Sequence, residues 1–245
     1  MLTRDYDIKK EFSKDFKQHQ RMLFNQISLL LSSEDHCKSL YDYYLEAGFD
    51  EKALEKFKIE TADDISYDVL GSSTYVLRFL QFLIKANGCK KVLELGTFIG
   101  VSSLFLAEAL PEDGHLITVE AVEKFAKISC KNFANNAAGA KIELVEGDLR
   151  KLYPTLLEKG PYDLIFIDAN KESYFESAER LYPKLNKGGM IIVDDALFHG
   201  DVINKTPTTT KGLGVKKCID FLLSKEDLFS VMLPLCNGVM LSIKQ

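Results

Sequence analysis

The sequence predicts an α/β protein with a doubly wound sheet that is mostly parallel and ends in an antiparallel hairpin. From residue 91 onward, short apolar runs alternate with amphipathic helical segments, a pattern typical of parallel strands covered by helices on both faces. Near the C-terminus, only Cys236-Asn237-Gly238 separates two apolar runs, and so short a connection requires an antiparallel pair. Residues 1 to about 87 show helical periodicity alone.

The N-terminal part is predicted to form four helices, since apolar residues recur there at helical spacing. Their approximate bounds are Phe12 to Leu30, Ser33 to Gly48, Asp50 to Phe57, and Ser73 to Lys85. These helices lack a credible core of their own. We therefore predict a single domain over residues 1–245, with a helical extension over 1–87 and a sheet-containing core over 88–245.

The core is predicted to alternate strands with helices. The predicted strands are Lys91–Leu95, Leu116–Glu120, Ile142–Val145, Leu164–Asp168, Met190–Asp194, Phe229–Leu235 and Val239–Ile243. The predicted helices between them are Val101–Leu110, Val122–Asn135, Leu149–Leu157 and Tyr174–Leu181. After Asp195, residues 196–215 are predicted to form a long connection that acts as a lid.

Composition excludes several classes of protein. The chain has 245 residues with 31 Lys and Arg against 36 Asp and Glu, a net charge of −5 that provides no basic footprint for nucleic acid or anionic membranes. The N-terminus has no apolar signal segment, and no run is long enough to cross a bilayer. The five cysteines form no CxxC pair, which predicts buried, reduced thiols. We expect a cytoplasmic protein without nucleic-acid or membrane partners.

Three strand ends carry the residue types of a nucleotide-containing cofactor site. Gly96 and Gly100 follow the first strand in a G-x-x-x-G loop that opens a helix, Glu120 ends the second strand, and Asp148 follows the third. Each feature taken alone is also compatible with a purely structural role. The spacing differs from the G-x-G-x-x-G of dinucleotide-binding proteins, which disfavours an NAD-dependent oxidoreductase.

Three carboxylates follow the next two strands: Asp168, Asp194 and Asp195. Like charges this close need compensation, and a hard divalent cation with oxygen ligands would supply it. Alternatively, Asp195 caps the next segment and Asp168 pairs with Lys171. From the residues alone, both interpretations stay open.

Five motifs carry a resemblance to a known family. In order, they are ELGTFIGVSS, ALPEDGHLITVE, ELVEGD, YDLIFIDANKESY and GGMIIVDDALFHG. Together they closely resemble the cation-dependent (class I) S-adenosylmethionine O-methyltransferases, which include the caffeoyl-CoA and catechol O-methyltransferases. The resemblance covers about residues 70 to 245, and it implies a Rossmann-like, seven-stranded sheet.

The resemblance also implies residue roles. For the cofactor S-adenosylmethionine, the resemblance implies Glu94, Gly96 and Ser102 at its methionine part, Glu120 at the ribose and Asp148 at the adenine. Ser72, Thr97 and Asp168 are further residues implied to bind the cofactor. The implied metal ligands are Asp168, Asp194 and Asp195, for Mg²⁺ or alternatively Ca²⁺ or Mn²⁺. Lys171 matches a general base and Asp168 is catalytic with it. Two departures stand out, because relatives usually carry Asn at position 195 and Asp at position 170.

The activity implied is methylation of one hydroxyl of a vicinal diphenol. The cation would lower the pKa of that hydroxyl, and Lys171 with a depressed pKa would take its proton. Phe198 and Tyr174 are candidates for packing the aromatic acceptor. We also expect a homodimer, with Tyr43, Tyr44 and Phe49 contributing to contacts.

Other classes of protein compete with this interpretation. A protein of this fold with a non-phenolic acceptor is one alternative, and an NAD-dependent oxidoreductase is another. A nucleic-acid methyltransferase would be expected to carry an Asn/Asp-Pro-Pro-aromatic tetrapeptide or a basic arm, and the sequence has neither.

Overall fold

A computed structural model describes residues 54–61 and 71–245 of the chain. Within these residues, one seven-stranded sheet has the order β3-β2-β1-β4-β5-β7-β6. The strands are β1 Lys91–Leu95, β2 His115–Glu120, β3 Ile142–Glu146, β4 Tyr162–Ile167, β5 Leu185–Val193, β6 Leu228–Leu233 and β7 Val239–Lys244. The predicted doubly wound, seven-stranded fold is confirmed.

The first five strands pair in parallel, and the last two pair antiparallel. Strand β7 inserts between β5 and β6, so the predicted C-terminal hairpin lies at one edge of the sheet. The turn of that hairpin therefore lies beside the loop that follows β5, and Ala196 N donates to the carbonyl of Gly238 at 2.8 Å.

Six complete α-helices occur in the part of the chain that the structure describes. They are α1 Thr74–Asn87, α2 Val101–Ala109, α3 Glu123–Ala134, α4 Leu149–Lys159, α5 Tyr174–Leu181 and α6 Thr210–Leu223. The start of α1 follows from Ser73, whose hydroxyl accepts from Tyr75 N, and its end follows from Gly88 in the left-handed conformation. The predicted helices of the core agree with α2 to α5 to within two residues at each end.

The central strands β1, β4 and β5 are apolar because helices cover both of their faces, and their C-terminal halves are fully buried. Beyond the strand ends, Asp168 N donates to the carbonyl of Leu95, and Asp194 N donates to that of Ile167. The backbone pairing thus continues past the strands and brings the three following loops together. The strand order reverses between β1 and β4, which is where ligands bind in such sheets.

Two predictions about connections and cysteines are wrong in part. The predicted loop over residues 196–215 ends earlier, because α6 begins at Thr210, where the Thr209 hydroxyl accepts from Gly212 N. Cys89 and Cys218 are buried as predicted, but Cys130 and Cys236 are exposed.

The remaining N-terminal predictions lie outside the described residues, apart from positions 54 and 55, which are helical. That applies to the first two helices and to the proposed contact residues Tyr43, Tyr44 and Phe49. Among the described helices, none is both long and apolar enough to cross a membrane.

Candidate active site

The loop after β1 approaches the neighbouring strand end so closely that glycine is required. A Cβ atom on Gly96 would lie 2.1 Å from the carbonyl oxygen of Asp168, and Gly96 has a φ of +103°. The backbone N–H groups of Gly96 and Thr97 both donate to Val119 O at 3.1 Å, and Thr97 Oγ1 lies 2.7 Å from Thr118 Oγ1. The loop is therefore fixed between β2 and the start of the loop after β4.

A cavity of about 620 Å³ opens over this loop at the switch point of the sheet. Its lining includes all the residues predicted to bind the cofactor except Glu94: Ser72, Gly96, Thr97, Ser102, Glu120, Asp148 and Asp168. The ends of four strands, β1 to β4, and the segment before α1 contribute them. The structure thus brings together residues that are up to 96 positions apart in the sequence.

Glu120 and Asp148 face the cavity while also organising its walls. The carboxylate of Glu120 accepts from Phe98 N through Oε2 and from Val122 N through Oε1, both at 2.8 Å. Each of its two oxygens therefore binds one of the two adjoining loops. Asp148 Oδ1 accepts from Arg150 N at 2.9 Å and caps α4. Each carboxylate oxygen can accept a second hydrogen bond, so both side chains keep acceptor capacity for ligand hydroxyl or amino groups.

Glu94 is the exception among the predicted cofactor residues, because it lies behind the loop with no exposed surface and does not line the cavity. Its Oε2 accepts from the hydroxyls of Ser103 and Thr118, whereas Oε1 has no hydrogen-bond partner among the residues described. Burial raises the pKa of Glu94 to about 7, against the lowering effect of hydroxyls that include that of Ser102. Glu94 supports the loop from beneath.

Lys171 lies between two of the predicted metal ligands. Its Nζ is 2.9 Å from Asp168 Oδ1 and 2.7 Å from Asp195 Oδ2, and its side chain is 15% exposed. Burial alone would lower the pKa of Lys171, but the two carboxylates together raise it above its usual value. The expected depression of this pKa is therefore wrong for the arrangement seen here, and the pairing of Asp168 with Lys171 is observed.

Asp194 is the most buried of the three carboxylates, at 6% exposure. Its Oδ1 accepts from Asp195 N at 2.9 Å. Burial, together with the charges of Asp168 and Asp195, raises the pKa of Asp194 to about 7. The site therefore concentrates negative charge that Lys171 offsets only in part.

A second cavity, of about 210 Å³, adjoins the first. Ser72 and Asp168 line both, and Ser72 Oγ donates to Asp168 Oδ2 at 2.7 Å. Lys171, Asp194 and Asp195 line the second cavity only. The predicted catalytic and metal residues are thus brought together in a compartment next to the predicted cofactor compartment.

Neither of the two aromatic residues that were predicted to pack against the acceptor, Tyr174 and Phe198, lines either cavity. Tyr174 is completely buried and lines neither cavity, and its hydroxyl lies 3.5 Å from Asp168 Oδ1. Phe198 is half-buried and lies after Asp195 in the left-handed conformation, with a φ of +40°. The prediction for Tyr174 is wrong because α5 turns this side chain into the core.

Two asparagines at the site were missed by the sequence reasoning. Asn237 binds Asp195, although its Asn-Gly dipeptide was interpreted only as a turn. Asn132 of α3 is fully buried and donates to the carbonyl of Ile99 in the glycine loop at 2.8 Å. In the sequence, the available signal was the spacing of Asn132 and Asn136, which are four positions apart, about one helical turn.

The first cavity fits S-adenosylmethionine by its donor and acceptor groups. The glycine loop allows close backbone approach, Ser102 provides a hydroxyl, and Glu120 and Asp148 provide carboxylates along the wall. For a divalent cation, the chemistry of Asp168, Asp194 and Asp195 is suitable, since all are oxygen donors. Nevertheless, in the described ranges no three His, Cys, Asp or Glu side chains are grouped closely enough to hold a metal ion. Lys171 forms ion pairs with two of the three carboxylates, Asp168 and Asp195.

Comparison with known proteins gives a consistent result. The profile of a family described as "O-methyltransferase" matches residues 45–245, most of the chain. A catechol O-methyltransferase from Niastella koreensis is 33% identical over 142 residues, which are 57% of this chain and 64% of that enzyme, so the chain spans just under two thirds of that relative. A probable caffeoyl-CoA O-methyltransferase 1 from Dictyostelium discoideum is 26% identical over 243 residues, covering 98% of this chain and 96% of that protein.

A solved structure is also similar. The O-methyltransferase TomG from Streptomyces achromogenes, involved in tomaymycin synthesis and crystallised in complex with SAM, superimposes with a TM-score of 0.66. It is 27% identical and covers 72% of this chain and 82% of its own.

Proposed function

Since the chain belongs to the O-methyltransferase family, we propose that it transfers the methyl group of S-adenosylmethionine to one hydroxyl of a vicinal diphenol of the catechol or caffeoyl type, with a divalent cation. The observation that carries this proposal is the meeting of the two cavities at Ser72 and Asp168. One compartment suits a nucleoside-containing cofactor, and the other gathers three carboxylates and an amine. The names of the relatives support the class of acceptor.

Asp168, Asp194 and Asp195 are the proposed cation ligands, with Mg²⁺ as first choice and Ca²⁺ or Mn²⁺ as alternatives. When bound, the cation would supply positive charge that lowers the pKa of an acceptor hydroxyl. The crowding of the carboxylates supports this assignment, because burial first, and then the charges of Asp168 and Asp195, raise the pKa of Asp194 despite the nearby Lys171. Asp195 in place of the usual Asn increases that crowding.

Lys171 is the proposed proton acceptor, at Nζ. While Asp168 and Asp195 both face this nitrogen, its pKa stays raised and the ammonium form dominates. Neutral Lys171 therefore requires the charge of these carboxylates to be offset. The role of Lys171 is thus tied to the charge state of the compartment around it.

Alignment supplies most of the remaining catalysis. Ser72 fixes one oxygen of Asp168, and Lys171 contacts the other, so this carboxylate has a defined orientation at the boundary between the compartments. Groups held in this way lower a barrier by placing the acceptor oxygen and the methyl group in line, without a covalent enzyme intermediate.

The proposal is tested by incubating the purified protein with S-adenosylmethionine, Mg²⁺ and a panel of vicinal diphenols, with and without caffeoyl-CoA. Mass spectrometry should find a product heavier by one methylene unit, together with S-adenosylhomocysteine. Monophenols and single-hydroxyl analogues serve as matched controls. Methylation only of a non-phenolic acceptor would reject the diphenol, full activity in EDTA would reject the cation, and binding of NAD in place of S-adenosylmethionine would reject the class of reaction.

Assembly and location are part of the same proposal. We propose a homodimer and a cytoplasmic location on the family resemblance. Light scattering at working concentration should give twice the mass of 27.7 kDa. A monomer would reject the dimer without affecting the proposed chemistry.

A further inference from the structure

Asn237 connects the β6–β7 turn to the loop that follows β5. Its side-chain nitrogen donates to Asp195 Oδ1 at 2.8 Å, and its side-chain oxygen accepts from the backbone N–H of His199 at 2.7 Å. Its backbone carbonyl accepts from Leu197 N at 2.8 Å. One residue on the last turn of the sheet thus contacts three residues of the loop beside the second cavity.

The chemistry of these contacts defines the orientation of the Asn237 amide. The N–H of His199 requires an acceptor, and the carboxylate of Asp195 requires a donor, so an amide satisfies both at once. An aspartate at position 237 would still accept from His199, but it would place a carboxylate against Asp195. An aliphatic side chain would satisfy neither group.

The loop itself needs this support, because three of its residues have left-handed backbone conformations. The φ values are +54° for Asp195, +40° for Phe198 and +52° for His199. Such conformations are unfavourable for residues other than glycine and persist only where surrounding contacts over-determine them. The turn also packs closely against the loop, since a Cβ on Gly238 would lie 2.7 Å from Leu197 N.

We propose that Asn237 is a positioning residue that fixes the Asp195 carboxylate and the start of the loop that follows β5. Asp195 then has one oxygen held by Asn237 and the other by Lys171, so neither oxygen is left to rotate freely. Asn237 acts through Asp195 and does not itself line either cavity. This inference rests on the proposed function, since it assigns Asp195 to the reacting compartment.

The test is a polarity swap between the two positions. Asn237→Ala removes both side-chain hydrogen bonds, and Asn237→Asp keeps the bond to His199 but opposes Asp195. Asp195→Asn alone retains the contact, because its amide oxygen still accepts from Asn237. In the double variant Asp195→Asn/Asn237→Asp, residue 195 donates and residue 237 accepts from both partners, so the original geometry is restored with the polarity reversed.

We expect each single substitution of Asn237 to lower kcat/KM for the acceptor about tenfold or more, while KM for S-adenosylmethionine stays within about twofold. The double variant should return to the level of Asp195→Asn. Unchanged kcat/KM in Asn237→Ala would overturn the proposal. A double variant as impaired as Asn237→Asp would also overturn it, because that pattern shows position 237 acting independently of Asp195.

Hydrogen–deuterium exchange separates this inference from the proposed reaction, because it needs no acceptor. The backbone amides of Leu197 and His199 should exchange faster in Asn237→Ala, which removes both side-chain hydrogen bonds. In Asn237→Asp, the amide of Leu197 should exchange faster because the new carboxylate opposes Asp195 and displaces the loop, whereas the amide of His199 keeps its acceptor. In the double variant, both amides should exchange at the rate of Asp195→Asn. If the wild-type chain methylates no diphenol but shows this exchange pattern, the proposed function fails and the positioning role stands. If exchange is the same in all variants, the positioning role fails whatever the activity.

Discussion

The ammonium nitrogen of Lys171 lies 2.7 Å from Oδ2 of Asp195, and this ion pair joins the loops that follow β4 and β5. Both side chains are largely shielded from solvent, so the pair is screened less than a surface ion pair. Burial alone would raise the pKa of Asp195, but Lys171 and Asn237 hold it below its usual value. A cation that binds Asp195 therefore competes with Lys171 for the same carboxylate, which couples cation binding to the protonation of Lys171.

Lys171→Arg and Lys171→Ala should both lower kcat by about 10²-fold or more, the usual contribution of a general base. Arginine keeps a positive charge beside Asp168 and Asp195, but it does not lose its proton at accessible pH. The two variants therefore separate the charge of this side chain from its proton transfer. The measurement is kcat against pH, with S-adenosylmethionine affinity as the control. Near-normal kcat in Lys171→Arg would show that Lys171 contributes charge alone.

Gly96→Ala should destabilise the protein by about 2 kcal/mol or more and abolish cofactor binding, because its Cβ would overlap the carbonyl of Asp168. Gly188→Ala is the matched control. Gly188 also has a left-handed φ, +77°, but nothing lies within 4 Å of a Cβ there. Urea unfolding and calorimetric titration with S-adenosylmethionine measure the two effects. Equal behaviour of the two variants would assign the whole effect to backbone strain.

Asn132→Ala should weaken binding of S-adenosylmethionine, by about tenfold, because Asn132 joins the glycine loop to the segment around Glu60. Its amide donates to the carbonyls of Ile99 and Glu60, and its oxygen accepts from Glu60 N. Asn136→Ala is the control, since Asn136 makes the equivalent pair of bonds to Lys58 without contacting the loop. If both variants bind the cofactor equally well, the contact to the loop carries no affinity.

Asp194→Asn should stabilise the metal-free protein at pH 8 while removing activity. The raised pKa of Asp194 means that its ionised form is disfavoured in the folded state, so stability is lost as pH rises through about 7. Asparagine removes that charge and still accepts from Asp195 N. A gain of roughly 1–3 kcal/mol in the free energy of unfolding is expected. A loss of stability at pH 8 would mean that the charge of Asp194 is already compensated in the protein.

The sheet was predictable from sequence because each strand has its own local signal. The runs of β1, β4 and β5 are mostly apolar toward their C-terminal ends, with Glu94 as the exception, and Asn237-Gly238 marks the antiparallel turn. Strand ends then converge by topology alone, which is why Gly96, Glu120, Asp148 and the three carboxylates could be assigned to one edge of the sheet. The parallel connectivity of the strands therefore predicts which strand ends lie together, even when no side-chain position is known.

Side-chain partners were less predictable, because they depend on distances across the fold. The sequence does not show that Lys171 reaches Asp195, 24 positions away, or that Asn237 reaches the same carboxylate from the last turn. For Tyr174, by contrast, the sequence suggested a contact that the fold does not make. This tyrosine was a candidate for packing the aromatic acceptor, but α5 directs its side chain into the core, where it is fully buried.

Glu94→Gln should remove a pH-dependent loss of stability from the cofactor-free protein. Burial raises the pKa of Glu94 from its ordinary 4.5 to about 7, so the folded state binds the proton more tightly than the unfolded state. The resulting stability is complete below about pH 4.5 and is lost as pH rises through about 7, a total of about 3 kcal/mol. Glutamine has no such transition and can still accept from Ser103 and Thr118. Urea unfolding at pH 5 and pH 8 should therefore show the difference between variant and wild type shifting by about 2–3 kcal/mol in favour of glutamine at the higher pH. A difference that is the same at both pH values would mean that Glu94 is ionised throughout and that a donor already compensates its buried oxygen.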